Sequence, residues 1–164
     1  MRLDRLASFA LAATLATLAT PYAAAAQAPP METLPQHQVM TTVRQFIDNF
    51  NKGNTQEMLA ACSPSTNIVD EFGAHVWTSC AAWMHDLTAD NKSTGITNPV
   101  VTLGLPWHVD VNGNRAYVVA PTSYNYLLKG RPAVETGSVF TLVLEKFSSG
   151  WKIIAWTWSA HTVS

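Results

Sequence analysis

Two adjacent carboxylates and two histidines are the groups in this sequence best suited to chemistry. Asp70 and Glu71 end a short β-rich run, His75 follows in the same segment, and His85 lies ten residues further on. A carboxylate can accept and return a proton, and histidine changes charge near neutral pH, so these residue types suit general acid–base catalysis. Neighbours in a strand face opposite sides, so only one of Asp70 and Glu71 is expected to point inward. A hydrated acidic pair and two surface histidines would need no catalytic role.

Aromatic residues could form the walls of a pocket beside these groups. Tyr124 and Tyr126 share one face of a predicted strand with smaller residues, an arrangement that could place phenol donors at the mouth of a pocket. Packing in an ordinary core is the alternative use of the same side chains. The residues that we assign to the pocket are Trp77, Trp83, His108, Tyr124, Tyr126 and Trp158.

Several other chemistries lack the residue patterns that they need. The sequence has no G-x-S-x-G elbow and no Gly-rich loop that would hold a phosphate. Its five histidines are too dispersed for a local metal motif, so we predict neither a metal nor a cofactor. The formal net charge is −1 and no basic patch is interleaved with aromatic residues, so a nucleic-acid partner is not expected.

The N-terminus resembles a secretory signal peptide. Arg2 and Arg5 precede a long run rich in Ala, Leu and Thr, which ends at the A-x-A pattern Ala26-Gln27-Ala28. A membrane anchor is the alternative, but the small-residue cleavage site favours export. We therefore predict a signal peptide at 1–28, a flexible Pro-bearing leader at 29–38 and one domain at 39–164, in a periplasmic or secreted protein without a membrane segment after cleavage.

Two cysteines, Cys62 and Cys80, are the whole thiol content of the chain. In an oxidising compartment two cysteines that close a short loop can form a disulfide. Two buried thiols acting as small apolar residues are the alternative. We predict the disulfide.

The element pattern changes from helices to strands along the chain. An apolar stripe predicts a helix over 39–50, and Asn54 with Glu57 resembles a capping box that opens a short helix, closed by Ser63-Pro64. A strand over 67–72 and a helix over 78–91 follow, and then only strands. Pro106 predicts an irregularity, and Asn112-Gly113 a hairpin turn. The predicted strands lie at 100–111, 115–128, 134–146 and 151–160.

This order predicts an α+β fold, in which helices cover the concave face of a curved, cone-shaped antiparallel sheet. By simple alternation, the last strand carries apolar residues on both of its faces. Trp156 and Trp158 lie on one face, and Trp151 and Ile153 lie on the other. Both of its faces are therefore expected to be covered. Helices can cover only one face, so we predict that the other face forms a homodimer.

The element order and several short motifs resemble the nuclear transport factor 2-like superfamily, which includes SnoaL-like polyketide cyclases and ketosteroid isomerases. The stretch from Phe46 to Asn54 is similar to its opening F-x-x-x-x-N-x-G-D helix, with Asn54 in place of Asp, and Gly150-Trp151-Lys152-Ile153 is similar to its closing G-W-[KR]-I strand. Two further stretches, 70–77 and 100–104, resemble exported bacterial members of unassigned activity. The similarity extends over about 39–160.

The resemblance implies two functions, of which we predict the first and keep the second as the alternative. One is an exported domain of unassigned activity that binds a small apolar molecule or a partner in its cone. The other is a cofactor-independent isomerase, lyase or cyclase of the SnoaL or ketosteroid isomerase type. In that type a carboxylate moves a proton while buried donors stabilise an enolate oxygen. Asp70, with His75, His85 or a tyrosine, would supply this acid–base set.

Overall fold

The computed structural model of the protein describes residues 33–160 and, for the backbone alone, 162–163. The predicted signal peptide, the leader up to residue 32 and His161 lie outside the described residues. Within the described part, no helix is long and apolar enough to cross a bilayer.

The first helix, α1, spans Leu34–Asn51 and buries the predicted stripe, including Val39, Val43 and Phe46. It begins earlier than predicted, because Pro35 is accommodated in the first turn and the Gln36 side chain accepts a hydrogen bond from the Thr33 N–H at 2.8 Å. Residues 34–38, assigned above to a flexible leader, are therefore helical.

Two shorter helices follow. Helix α2 spans Thr55–Ala60, and its N-cap residue Asn54 makes no side-chain capping bond, so the predicted capping box does not form. Helix α3 spans Cys80–Thr94. The Ser79 hydroxyl accepts a hydrogen bond from the Ala82 N–H at 3.2 Å at its start, and Gly95 ends it in the left-handed conformation, with φ 83°.

The strands form one curved, unclosed sheet, which confirms the predicted fold class. Its order is β2-β1-β7-β6-β5-β3, with β4 paired to β5 and β8 paired to β6. Only β1 and β7 run parallel among the described pairs; the others are antiparallel. The strands are β1 (Cys62–Val69), β2 (Val76–Trp77), β3 (Ile96–Leu103), β4 (His108–Asn112), β5 (Arg115–Leu128), β6 (Arg131–Phe147), β7 (Gly150–Ser159) and β8 (Thr162–Val163).

The first strand differs most from its prediction. Ser63 and Pro64, expected to end a helix, already belong to β1, which starts at Cys62 and ends at Val69. Asp70 and Glu71 therefore follow the strand rather than lie in it. Pro106 lies between β3 and β4, where the sequence predicted an irregularity within one longer strand.

Two interruptions of the register change which side chains face the helices. Thr122 and Tyr124 of β5 pair with Ser138 and Glu135 of β6, so β6 contains one extra residue there, next to Gly137 with φ 74°. In β7 the partners of Val143 and Leu144 are Ala155 and Ile153, so Ile154 is the extra residue. A bulge of this kind reverses the alternation of side chains beyond it.

The bulge at Ile154 corrects the predicted faces of the last strand. Trp151 and Ile153 before it, and Trp156 after it, are all buried in one core, although their sequence parities differ. Trp158 packs against the same core. The outer face of β7 is therefore less apolar than the alternation alone predicted.

Specific contacts attach the helices to the sheet. The Asn51 side chain donates to the Val101 carbonyl and accepts from the Val101 N–H, both at 2.8 Å, so the end of α1 is fixed on β3. This Asn is the N of the superfamily-like F-x-x-x-x-N pattern. The Sγ atoms of Cys62 and Cys80 are bonded, which joins the start of β1 to the start of α3.

Candidate functional site

A cavity of about 160 Å³ lies between helices α1 and α3 and the inner face of the sheet. Half of the residues that line it are aromatic, and the segment that follows β1 forms part of its wall. No lysine, arginine or histidine is among the described residues that line it. Four carboxylates do line it: Asp70, Glu71, Asp90 and Glu135. The rings that line it are Phe46, Phe50, Phe72, Trp83, Tyr124, Tyr126, Phe140, Trp156 and Trp158.

The aromatic rings pack on each other in edge-to-face, tilted and stacked pairs. Trp83 and Trp156 meet edge to face with centroids 4.9 Å apart, and Phe140 packs on Trp156 at 5.4 Å. Phe46, from α1, contacts Trp83, Phe140 and Trp156. These contacts hold the inner wall rigid, because large rings in mutual contact have few alternative rotamers.

Asp70 is held at the cavity wall by two hydrogen bonds. Its Oδ2 accepts from the indole N–H of Trp83 at 2.8 Å, and its Oδ1 accepts from the backbone N–H of Glu71 at 2.8 Å. Burial raises the pKa of Asp70 above its ordinary value, because loss of water outweighs the two hydrogen bonds that favour the charged form. The carboxyl is thus oriented and more basic than an exposed aspartate.

Glu71 also lines the cavity, although only one of the two neighbours was expected to do so. The expectation assumed a strand, whereas β1 ends at Val69 and the chain turns at residues 70–75. The pKa of Glu71 is raised to about 7, first by burial and then by the charge of Glu135 and a hydrogen bond to it. The nearby Glu135 carboxylate thus makes Glu71 take up a proton more readily than an exposed glutamate does.

Glu135 is the carboxylate that the sequence reasoning missed. It lies in β6 and is only 4% exposed. Its Oε1 accepts hydrogen bonds from the Ser138 hydroxyl at 2.5 Å and from the Trp158 indole N–H at 2.7 Å. By strict alternation Glu135 and Ser138 would face opposite sides, and the extra residue beside Gly137 brings them together. A glycine inside a predicted strand was the signal that could have revealed the bulge.

The two tyrosines lie side by side on the cavity wall, with ring centroids 4.9 Å apart. Burial is the main cause that raises the pKa of Tyr124 to about 12, so its hydroxyl remains a proton donor. That hydroxyl is buried and makes no hydrogen bond of ordinary geometry among the described residues, although the Asn91 side chain lies close enough to favour its charged form. Burial also raises the pKa of Tyr126.

The two histidines proposed for catalysis do not line the cavity. His75 is exposed, has a left-handed backbone with φ 62°, and its Nδ1 lies 3.2 Å from the backbone carbonyl oxygen of Asp70. His85 has a side chain 83% exposed and pairs with Asp86 at 2.9 Å on the outer side of α3. The structure therefore places Asp70, Glu71 and Glu135 in the cavity lining and both histidines outside it.

Two of the six residues assigned to the pocket also lie away from it. Trp77 is buried behind Phe72, at 4.8 Å between ring centroids, and its indole N–H donates to Asp86 at 2.9 Å. His108 is exposed and faces the Tyr117 ring on the outer side of the sheet. The other four, Trp83, Tyr124, Tyr126 and Trp158, line the cavity.

Comparison with known proteins identifies the family. The family model for the SnoaL-like domain matches residues 39–162. No curated protein matches the chain significantly.

Three solved structures illustrate the range of proteins that share the fold. A nuclear transport factor 2-like superfamily protein from Salmonella enterica is 13% identical, with a TM-score of 0.66 over 77% of this chain and 91% of that one. A type 2 hexachlorocyclohexane dehydrochlorinase is 10% identical, with a TM-score of 0.67 over 79% and 87%. The CaMKII hub of S. rosetta is 18% identical, with a TM-score of 0.63 over 80% and 100%. At these identities the likeness shows the fold.

Proposed function

The chain belongs to the SnoaL-like domain family, and we propose that it is an exported protein that binds a small, mainly apolar molecule in its aromatic cavity. The observation that carries this proposal is the cavity itself, about 160 Å³ and lined by nine aromatic rings. Natural cores are packed to high density and leave few voids of this size. A concave apolar space with a few polar groups is the usual form of a small-molecule site.

Titration with neutral apolar molecules tests the binding proposal directly. Trp83, Trp156 and Trp158 line the cavity, so an occupant is expected to change the tryptophan emission of the protein. We expect saturable binding of a panel of neutral esters and aromatic hydrocarbons. Native mass spectrometry of protein purified from its own periplasm would then look for a retained natural molecule.

A blocked-cavity variant makes the test specific. Ile96→Trp adds a ring at a position that lines the cavity, whereas Val100→Trp adds the same ring in the same strand at an exposed position outside the lining. Binding is expected to be lost in the first variant and kept in the second. Equal binding by both variants would overturn the assignment of the ligand to this cavity.

Proton transfer on the bound molecule is a second candidate function, and the Glu71–Glu135 pair favours it. A general base is most effective when its pKa lies near the working pH, and the pKa of Glu71 is about 7. Asp70, with its raised pKa, is a second carboxyl oriented by Trp83. The Tyr124 hydroxyl could donate a hydrogen bond to an oxyanion. Such a site suits a cofactor-independent isomerase, lyase or cyclase.

The mechanism would use Glu71 as the base and the Tyr124 hydroxyl as the donor that stabilises the resulting charge. Glu71 would take a proton from carbon beside a carbonyl, and the negative charge would move to the carbonyl oxygen. The Tyr124 hydroxyl would stabilise that oxygen, and return of the proton to another carbon would complete an isomerisation. Glu135, fixed by Ser138 and Trp158, would position Glu71 through their shared hydrogen bond.

Deuterium exchange separates catalysis from simple binding. A neutral ketone that binds in the cavity would be incubated with the protein in D₂O, and loss of its α-proton signal followed by NMR. We expect faster exchange with the unaltered protein than with Glu71→Gln, and unchanged exchange with Glu57→Gln, which alters an exposed carboxylate of α2. Identical exchange by all three proteins would remove the catalytic candidate and leave the binding proposal standing.

A homodimer through the outer face of the sheet is the assembly that we propose. Support comes from half-buried Val119, Val139 and Val143 and from Tyr117, which is 42% exposed. These residues form an apolar strip across β5 and β6. A monomeric mass by light scattering at micromolar concentration would overturn this proposal, and so would an unchanged dimer in Val139→Lys.

A further inference from the structure

We propose that the natural occupant of the cavity is an organic cation, an alkyl or aryl ammonium compound that also carries a hydrogen-bond acceptor. This inference rests on the proposed binding function and names the class of ligand. Three independent features of the cavity carry it: the sign of its charge, the nature of its walls and one unpartnered donor.

The charge of the cavity lining has one sign. Asp70, Glu71, Asp90 and Glu135 line it, and no basic side chain lines it among the described residues. None of these four carboxylates forms an ion pair with another described residue. Glu135 is only 4% exposed and Asp70 is half-buried, and such carboxylates without a counter-ion are costly because burial removes their water. A bound cation would supply the missing charge.

The walls are of the kind that binds cations well. The faces of Trp and Tyr rings attract positive charge through their quadrupole, and recognition of quaternary ammonium groups by several rings is the established use of this attraction. Trp83, Tyr124, Tyr126 and Trp158 all line the cavity with the carboxylates. Trp158 also donates its N–H to Glu135, which brings a ring and a carboxylate together at one place. A neutral apolar molecule would use the rings but leave the charges unpaired.

The deep part of the wall contains a donor without an acceptor. Trp156 is 3% exposed and lines the cavity, and its indole N–H has no hydrogen-bond partner among the described residues. Buried donors are nearly always paired in native proteins, so an acceptor atom is expected from the occupant. A carbonyl or ester oxygen on the ligand would meet this need.

An isosteric pair of probes tests the inference. Acetylcholine and 3,3-dimethylbutyl acetate have almost the same shape and the same ester, and they differ in one positive charge. Both would be titrated at pH 8 into the full-length exported protein, with binding followed by tryptophan fluorescence and calorimetry. We expect acetylcholine to bind at least about ten-fold more tightly than the neutral ester.

A matched pair of variants tests which carboxylate causes the preference for the cation. Glu135→Gln removes the buried carboxylate and keeps an oxygen that can accept from Ser138 and Trp158, whereas Glu145→Gln changes the same residue type in the same strand outside the cavity. The preference for the cation is expected to fall about ten-fold in the first variant and to remain in the second. If Glu135→Gln does not fold by circular dichroism, Glu71→Gln at the cavity mouth replaces it with the same expectation.

The outcomes separate this inference from the function on which it rests. Equal affinity for the two esters would overturn the cationic ligand and leave the binding of apolar molecules intact. A cation preference that survives in Glu135→Gln and Glu71→Gln would overturn it too. Failure of both esters and of the neutral panel described above would overturn the binding function itself.

Discussion

The inner face of the sheet is filled at one end and hollow at the other. At the end that we call the closed end, Val118, Leu142, Leu144 and Ile153 have no exposed surface and belong to one apolar core. At the open end the same strands β5, β6 and β7 carry Tyr124, Glu135 and Trp158 around the cavity. Aliphatic side chains fill space without directional needs, whereas the rings and carboxylates of the open end leave space and polar groups available.

The two ends contribute differently to the free energy of folding. The closed end stabilises the fold, and the open end contains groups whose burial is unfavourable. The closed end has the burial that makes a fold stable, about 1.5–3 kcal/mol for each fully buried large apolar side chain. The open end holds desolvated carboxylates near one another, which opposes folding. Sites of binding and chemistry commonly contain such unfavourable arrangements, and the rest of the structure compensates for them.

Truncation in the closed end is expected to produce the largest effect. Leu142→Ala would leave a cavity in the fully buried core and lower the free energy of unfolding by about 3–4 kcal/mol. Urea denaturation followed by far-UV circular dichroism measures this change. Leu105→Ala, at a residue that is 77% exposed, is the control and should change stability by less than about 0.5 kcal/mol. A small effect of Leu142→Ala would mean that the two ends do not differ as described.

Removal of the disulfide should come next in size. Cys62 and Cys80 are 18 residues apart, and a closed loop of this length stabilises a fold by about 3 kcal/mol in the chain-entropy model. The double variant Cys62→Ser/Cys80→Ser is expected to unfold at lower urea concentration yet to bind neutral apolar probes when folded. Loss of probe binding in the folded double variant would show that the disulfide also shapes the open end.

Substitution of Gly137 tests the bulge in β6, which lies between the closed end and the open end. Gly137 has φ 74°, a conformation that costs an L-residue about 1–2 kcal/mol, so Gly137→Ala should lower stability by that amount. Gly137→Asn is the matched control, because Asn tolerates this region better and should cost less. Thermal unfolding of both variants shows which is less stable. An Ala variant as stable as the Asn variant would contradict the role assigned to the left-handed conformation of Gly137.

The pH dependence of stability is expected to show the smallest effect and to arise at the open end. The pKa of Glu71 rises from 4.5 to about 7 on folding, so between these pH values the folded protein holds more protons than the unfolded chain. Its contribution therefore favours folding most below pH 4.5, declines as pH rises and is lost above about pH 7. The raised pKa of Asp70 acts in the same direction.

Comparison of one variant with its control isolates this contribution. Urea midpoints would be measured at pH 5 and pH 8 for the unaltered protein, Glu71→Gln and Glu57→Gln. The decline between the two pH values should be smaller in Glu71→Gln and unchanged in Glu57→Gln. A decline of equal size in all three proteins would place the responsible group elsewhere. The effect is small because Glu71 is partly exposed and water screens its charge.

The long strands could be predicted because each is a long β-rich run bounded by turn residues, and a bulge inside a strand does not move its ends. The predicted bounds of 115–128 for β5 agree with the structure, and those of β6 and β7 differ by a few residues at most. The stripe of α1 also identified its buried residues. The start of β1 could not be predicted in this way, because Ser63-Pro64 ends helices more often than it begins strands.

The candidate site was less predictable than the fold, since it depends on features that break the alternation. Glu135 was not among the predicted site residues, and strict alternation would not have revealed it, because one extra residue beside Gly137 reverses the faces of the strand. The same alternation separated Trp156 from Ile153, which the bulge at Ile154 brings to one face. His75 and His85 were chosen for their residue type alone, and type does not determine which side of a turn or helix a side chain occupies.

The bulge beside Gly137 also makes the cavity wall tolerant of a one-codon change in the length of β6. Deletion of residue 136 or 137 would remove the extra residue, restore regular alternation and leave Glu135 and Ser138 on the same face, while the pairing of residues 139–147 with β7 would remain. Deletion at a position where the strands pair regularly would instead turn the side chains beyond it to the opposite face. A lineage can thus lose the bulge in one step and keep its acidic cavity, without any change in the helices that enclose it.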